Sequence, residues 1–270
     1  MSHTLHRGSV PLLVSMPHLG TTIPAELREA YVARALDTED ADWHLDQLYA
    51  FVKGMGASVL MPTIARYVID LNRPPDDTPM YPGASNTELC PTRFFNGQPL
   101  YRDGAAPEVA ERERRRSTYW QPYHTALAEE LARIKAEHGF ALLWDAHSIR
   151  AEIPWLFDGR LPDLNVGTAA GAAADVRISD AVMAACAASP AYTHVLNGRF
   201  KGGYITRQYG RPAEHVHAVQ LEMCQSTYMQ EVPPYAYVPK LATAVQPTLE
   251  RMVSGALGAA QAMYGKGAKA

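Results

Sequence analysis

The sequence predicts an α/β protein in which a mixed β-sheet is flanked by helices. Short apolar runs at residues 10–16, 57–61, 66–71, 140–144 and 216–223 read as buried strands, and longer stretches with helical period separate them. No linker or internal repeat divides the 270 residues, and α/β chains of about 250 residues commonly fold as one unit. Residues 1–270 are therefore expected to form a single domain.

Taken in order, the run at 10–16 is far shorter than the ~18 residues a membrane span needs. It passes directly into Pro17-His18-Leu19-Gly20 with no small-residue cleavage pattern, so the expectation is a soluble, cytoplasmic protein. The segment DADWHLD at 40–46 places acids where a helix start favours them. The run at 66–71 ends in Asn72-Arg73 and opens a stretch to residue 101 rich in Pro, Gly, Asn, Asp and Thr. Loops of that length are usually functional or disordered. ERERRR at 111–116 reads as the charged, solvated face of a helix. Tyr123, Leu127, Leu131 and Ile134 form a helical stripe that stops at Gly139.

The run at 140–144 ends in Asp145-Ala146-His147-Ser148, and the run beginning at 216 carries Glu222. Irregular stretches are expected at 154–174 and in GRFKGGYITRQYGRP, 198–212; residues 169–188 are rich in alanine without being of low complexity. Leu241, Val245, Leu249, Met252 and Leu257 mark a closing helix with a core-facing stripe.

Composition narrows the function. With 47% hydrophobic and 20% charged residues the chain is neither disordered nor fibrous. A net charge of -3 gives no whole-molecule field to hold nucleic acid or an anionic membrane, although local basic clusters can bind a small anion. Cys90, Cys186 and Cys224 lack the spacing of a zinc knuckle or a redox pair. Gly202-Gly203 lies in neither a GxGxxG nor a Walker pattern, and Ser148 lacks the GxSxG elbow.

Ligands of open α/β sheets bind beyond the carboxyl ends of the strands, so the residues at which the runs stop are the candidates. His18 and His147 are candidate metal ligands, because two imidazoles with one carboxylate and an open position make a standard catalytic zinc arrangement. Either alone reads more readily as a hydrogen-bonded structural residue, and the pairing beside carboxylates brings the two readings level. Asp145 is placed to orient the His147 ring or to cap a turn. Asp42 is the preferred acidic ligand, with His44 and Asp46 as alternatives. Glu222 stands in an apolar run, where an unpaired carboxylate is costly, and is the candidate general base. A buried salt bridge to an arginine of 198–212 is the competing account. Arg66 is a candidate oxyanion stabiliser. Asn72 and Arg73, with an arginine from the glycine-rich loop such as Arg207, are candidates to grip substrate carboxylates. Arg199, Lys201 and Arg211 add charge to the same loop.

The blocks VSMPHLGTTIP, DADWHLDQLYAF, ARYVIDLNRPP, YWQPYHTAL, LLWDAHSIR, NGRFKGGYITRQYG and HAVQLEM resemble the N-formylglutamate amidohydrolase (N-formylglutamate deformylase) family across nearly the whole chain. That resemblance implies hydrolysis of N-formyl-L-glutamate to L-glutamate and formate, the closing step of one bacterial histidine-degradation route. It also implies a phosphorylase/hydrolase-like α/β fold similar to zinc carboxypeptidases, with one divalent metal ion, zinc by expectation. By the same relation His18 and His147 correspond to the carboxypeptidase histidines, Asn72-Arg73 to the carboxylate clamp and Glu222 to the catalytic glutamate. The acid that carboxypeptidases place three residues after the first histidine is here Thr21, so the acidic ligand must come from elsewhere. The rival expectations are a hydrolase of another N-acyl amino acid or of a C-terminal peptide residue, and a metal-free binder of acidic amino acids.

Overall fold

The structure is a computed structural model describing residues 2–80 and 86–265; residues 81–85, part of the loop expected over 72–101, lie outside the described residues. Its centre is a seven-stranded mixed sheet in the order β1-β3-β2-β4-β7-β5-β6. The strands are β1 His3–His6, β2 Leu12–Ser15, β3 Ser58–Pro62, β4 Ala141–Ile149, β5 Leu164–Gly167, β6 His194–Leu196 and β7 Val216–Cys224. β3, β2, β4 and β7 run parallel, while β1 pairs antiparallel with β3 and β5 antiparallel with β7. β2 and β4 are buried along their whole lengths, as expected of parallel strands covered on both faces.

The helices are α1 Leu45–Leu48, α2 Phe51–Gly54, α3 Val109–Arg115, α4 Gln121–His138, α5 Val176–Ala187, α6 Tyr204–Tyr209 and α7 Pro239–Tyr264. α5 and α7 cover one face, where Leu142, Trp144 and Ala146 of β4 meet Ile178, Val182, Val245 and Leu249. α4 covers the other, where Ala141 and Leu143 meet Tyr123, Leu127 and Ile134. Side chains alternate across a strand, so Asp145 and His147 project to the α4 side. α4 stops at Gly139, whose φ of 83° is the left-handed cap a glycine supplies. In α7 the stripe holds from Val245 to Leu257, but Leu241 is exposed. No helix among the described residues is long and apolar enough to cross a membrane.

Several expectations are corrected. Residues 66–71 are buried but form turns, with Val68 N–H donating to Ala65 O and Asp70 N–H to Leu89 O. Their position explains this. They follow β3 too closely for a parallel crossover, which takes a dozen or more residues, and both edges of β3 are already paired. β4 runs to Ile149, so Asp145 and His147 lie on the strand instead of beyond it. The stretch 154–174 contains β5, and 198–212 contains α6. ERERRR is not wholly solvated: Arg115 is buried, and its Nη1 donates to Tyr31 Oη, Tyr101 Oη and Val68 O.

Candidate active site

Three neighbouring parallel strands deliver the site. His18 follows β2, His147 lies on β4, and Glu222 is its register partner on β7. Asp42 comes from the segment ahead of α1, tied in by its own N–H, which donates to His18 O at 3.0 Å. Its carboxylate Oδ2 also accepts from Ser148 N–H at 3.1 Å. His18, Asp42 and His147 are all buried.

Their donor atoms converge. His147 Nδ1 lies 3.2 Å from His18 Nδ1 and 3.2 Å from Asp42 Oδ2, and His18 Nδ1 lies 3.8 Å from Asp42 Oδ2. Ligands about 2.0–2.1 Å from a tetrahedral zinc stand roughly 3.3 Å apart, so these spacings suit one small divalent cation. Two orphaned oxygens agree with that fit. Asp42 Oδ1 and Asp145 Oδ1 are buried without a hydrogen-bond partner. Asp145 Oδ1 is 3.2 Å from His147 Nε2, on the side of the ring away from Asp42. The alternatives to Asp42 sit elsewhere: His44 Nε2 is 2.8 Å from Tyr235 O, and Asp46 is exposed.

Around the cluster lies a charged, dehydrated shell. Arg66 is buried over the Phe95 ring, with Nη2 donating to Asp70 Oδ2 at 2.7 Å and Nη1 at 3.3 Å from His18 Nδ1. Burial and the Arg66 charge lower the His18 pKa. Burial also pulls His147 down, but Asp145, Asp42 and Glu222 outweigh it and raise the imidazole well above its ordinary value. Asp70 resists the upward push of burial, because His18, Arg66 and Arg73 hold its carboxyl well below the usual range. Burial pushes Glu222 up to about 8, with His147 pulling it down and Asp42 pushing it up. No ion pair or hydrogen bond among the described residues reaches the Glu222 carboxylate, so the salt bridge to a loop arginine is not formed.

A cleft opens over this cluster. Arg66, Asn72, Arg73, Thr87 and Arg199 contribute to its polar side, and Phe95, Ile149, Leu156 and Phe200 to its apolar wall. Asn72 is already engaged: Oδ1 accepts from Ile205 N–H at 2.8 Å and Nδ2 lies 3.0 Å from His147 Nε2. Arg73 is steadied by Thr87, donating through Nε to its backbone oxygen at 3.0 Å and through Nη2 to its hydroxyl at 2.6 Å. Arg207 is exposed on α6, its Nε bonded to Gly202 O, and does not line the cleft. Arg199 of the same loop does. Ser148, by contrast, bonds Tyr228 Oη at 2.7 Å.

Sequence reasoning missed Asp70 and did not single out Arg199. The signal for Asp70 was present, since an acid inside an apolar run is the anomaly that marked Glu222. The choice among loop arginines depended on the path of the loop, which no local pattern encodes.

Comparison with known proteins bears on the chain as a whole. A family model described as N-formylglutamate amidohydrolase matches residues 10–229. The N-formylglutamate deformylase of Pseudomonas aeruginosa is 52% identical over 258 residues, spanning 96% of this chain and 97% of that protein. The N-formylglutamate deformylase of Pseudomonas putida is 50% identical over 254 residues, spanning 94% and 95%. Among solved structures, an N-formylglutamate amidohydrolase from Ralstonia eutropha aligns with a TM-score of 0.80 and 27% identity, over 94% of this chain and 97% of that one.

Proposed function

The chain belongs to the N-formylglutamate amidohydrolase family, and from that membership we propose that it hydrolyses N-formyl-L-glutamate to L-glutamate and formate, using one divalent cation, zinc by preference, held by His18, Asp42 and His147. The observation that carries the proposal is the meeting of three buried donor atoms from distant segments, all within 4.8 Å of one another, beneath a cleft lined by arginines. When bound, the cation supplies Lewis acidity, polarising the amide carbonyl and acidifying water.

The chain's own groups do the rest. Glu222 takes a proton from the attacking water as its oxygen bonds to the formyl carbon. It returns that proton to nitrogen as the C–N bond breaks, releasing formate and the free amine. A divalent cation held by His18, Asp42 and His147 would favour the ionised form that Glu222 needs as a base. Arg66, fixed beside His18, presents its guanidinium to the developing oxyanion. Arg73 and Asn72 from one side and Arg199 from the other suit the two carboxylates of glutamate. The apolar wall of Phe95, Leu156 and Phe200 faces its methylenes. Arg199 thereby takes the part expected of Arg207. A cytoplasmic role closing histidine degradation rests on the family resemblance alone.

The test is metal analysis of the purified protein, paired with formate release from N-formylglutamate and acid release from its N-acetyl and longer N-acyl analogues. The expected result is about one divalent ion per chain, formate release abolished by a chelator and restored by zinc, and strong preference for formyl. Faster release of a longer acid would move the assignment to another N-acyl amino acid. Substrate binding with neither metal nor turnover would replace the enzyme reading by the binder.

A further inference from the structure

Gln220 stands on β7 two residues before Glu222, so both side chains leave the same face of the strand, and both line the cleft. It is 3% exposed, and its amide is turned one way only. Gly203 N–H donates to Gln220 Oε1 at 2.7 Å, and an N–H can bond only the oxygen of an amide, so the NH2 group takes the other position. Nε2 donates to no described residue, yet it is open to the cleft. Asn72 shows the parallel case: Ile205 N–H holds its Oδ1 at 2.8 Å and leaves its Nδ2 3.0 Å from His147 Nε2. The start of α6 thus aims two amides, and that of Gln220 keeps an unused donor. We propose that Gln220 is a specificity-determining residue that donates through Nε2 to the side-chain carboxylate of bound N-formylglutamate.

A primary amide nitrogen only donates, so the ligand atom it meets must be an acceptor. A donor left unpaired in a dehydrated cleft is costly unless the substrate supplies its partner. Position selects the carboxylate. Two strand residues span about 6.6 Å, which places Gln220 that much deeper along β7 than Glu222, the group that serves the scissile nitrogen. The α-carboxylate carbon is two bonds from that nitrogen, and the side-chain carboxylate carbon is four. The longer arm reaches Gln220 while the scissile amide stays beside Glu222. Charge explains why an amide occupies this position. A carboxylate there would face Glu222 along its own strand and Asp145 across the register, and would repel an acidic substrate. The neutral amide donates without that repulsion.

This inference rests on the deformylase reading, and the intact wild type tests that reading first: no formate from N-formylglutamate with zinc added overturns the reading itself. Gln220 is then tested by kcat/KM for N-formylglutamate, N-formylglutamine and N-formylnorvaline. These share the formyl group and the α-carboxylate and differ at the end of the side chain. Gln220→Glu still accepts from Gly203 N–H but turns the free donor into a negatively charged acceptor. The glutamate-to-glutamine ratio is expected to fall at least tenfold, because repulsion replaces a charge-assisted hydrogen bond. Gln220→Met keeps the length without the donor. It should lower the glutamate-to-norvaline ratio about tenfold, mainly through KM. If the three substrates lose rate alike, Gln220 only supports Gly203 or reads the shared α-carboxylate, and the proposal is overturned; unchanged rates overturn it equally. Should Gln220→Glu not fold, the Gln220→Met ratio decides alone.

Discussion

Glu222 is a carboxyl group held almost free of water between two paired strands, and in the proposed mechanism it moves a proton. Glu222→Gln keeps the volume and removes that capacity. Formate-release kinetics are expected to show kcat reduced by about 10²–10⁴-fold with KM little changed; full turnover would remove Glu222 from the mechanism. Arg199→Met keeps most of the stem length but deletes the guanidinium. It is expected to raise KM for N-formylglutamate by about tenfold or more, as loss of a charge-assisted hydrogen bond of ~1.5–3 kcal/mol implies. A monoanionic N-formyl amino acid should be affected far less. His18, His147 and Glu222 stood out in the sequence because ionisable groups within or at the ends of apolar runs are expensive unless used, and Asp42 stood out as an acid at a helix start. Arg199 and Arg207 share one glycine-rich loop, and only its three-dimensional course separates them.

Among the elements, β4 and β7 matter most, since their register places His147 opposite Glu222 and Asp145 opposite Gln220. A slip of one residue in either strand would turn that strand's two side chains to the α5–α7 face. The turn into α6 is equally constrained. A Cβ on Gly203 would fall 2.3 Å from Asn72 Nδ2 and 2.6 Å from its Oδ1. Gly203→Ala is therefore expected to push the Asn72 side chain off Ile205 and His147. The cost should be about 1–3 kcal/mol in urea unfolding, with activity lowered at least tenfold; unchanged stability and rate would show that Asn72 relaxes freely. Sequence periodicity identified β2, β3, β4, β7, α4 and α7, whose burial is extensive and regular. It misassigned residues 66–71, because an apolar run reports burial without saying whether a sheet edge is available to receive it.

At the level of the whole molecule, the predicted mixed sheet between helices is the fold observed. The non-consecutive strand order was not readable, since pairing partners far apart in the chain leave no local trace. Stability should depend on pH through His124. It stacks on Trp120 with ring centroids 3.7 Å apart, and its Nδ1 and Nε2 lie 2.9 Å from Tyr209 Oη and Leu71 O. Burial lowers its pKa from 6.5 to about 4, with the Leu71 carbonyl opposing the shift. The unfolded chain therefore takes up a proton near pH 6.5 that the native state refuses until about pH 4. Above that window His124 costs nothing; as pH falls through it, about 3 kcal/mol of stability is lost. Urea unfolding across pH 4–7 should show a shallower loss for His124→Gln than for wild type, and parallel curves would refute the assignment.

The sheet order has a further consequence for biosynthesis. β7 is the last strand made, yet it sits between β4 and β5 and pairs with both. A nascent polypeptide that has not yet reached residue 216 presents open backbone ladders on β4 and β5, an invitation to intermolecular pairing that the ribosome-bound chain must survive until its final strand arrives.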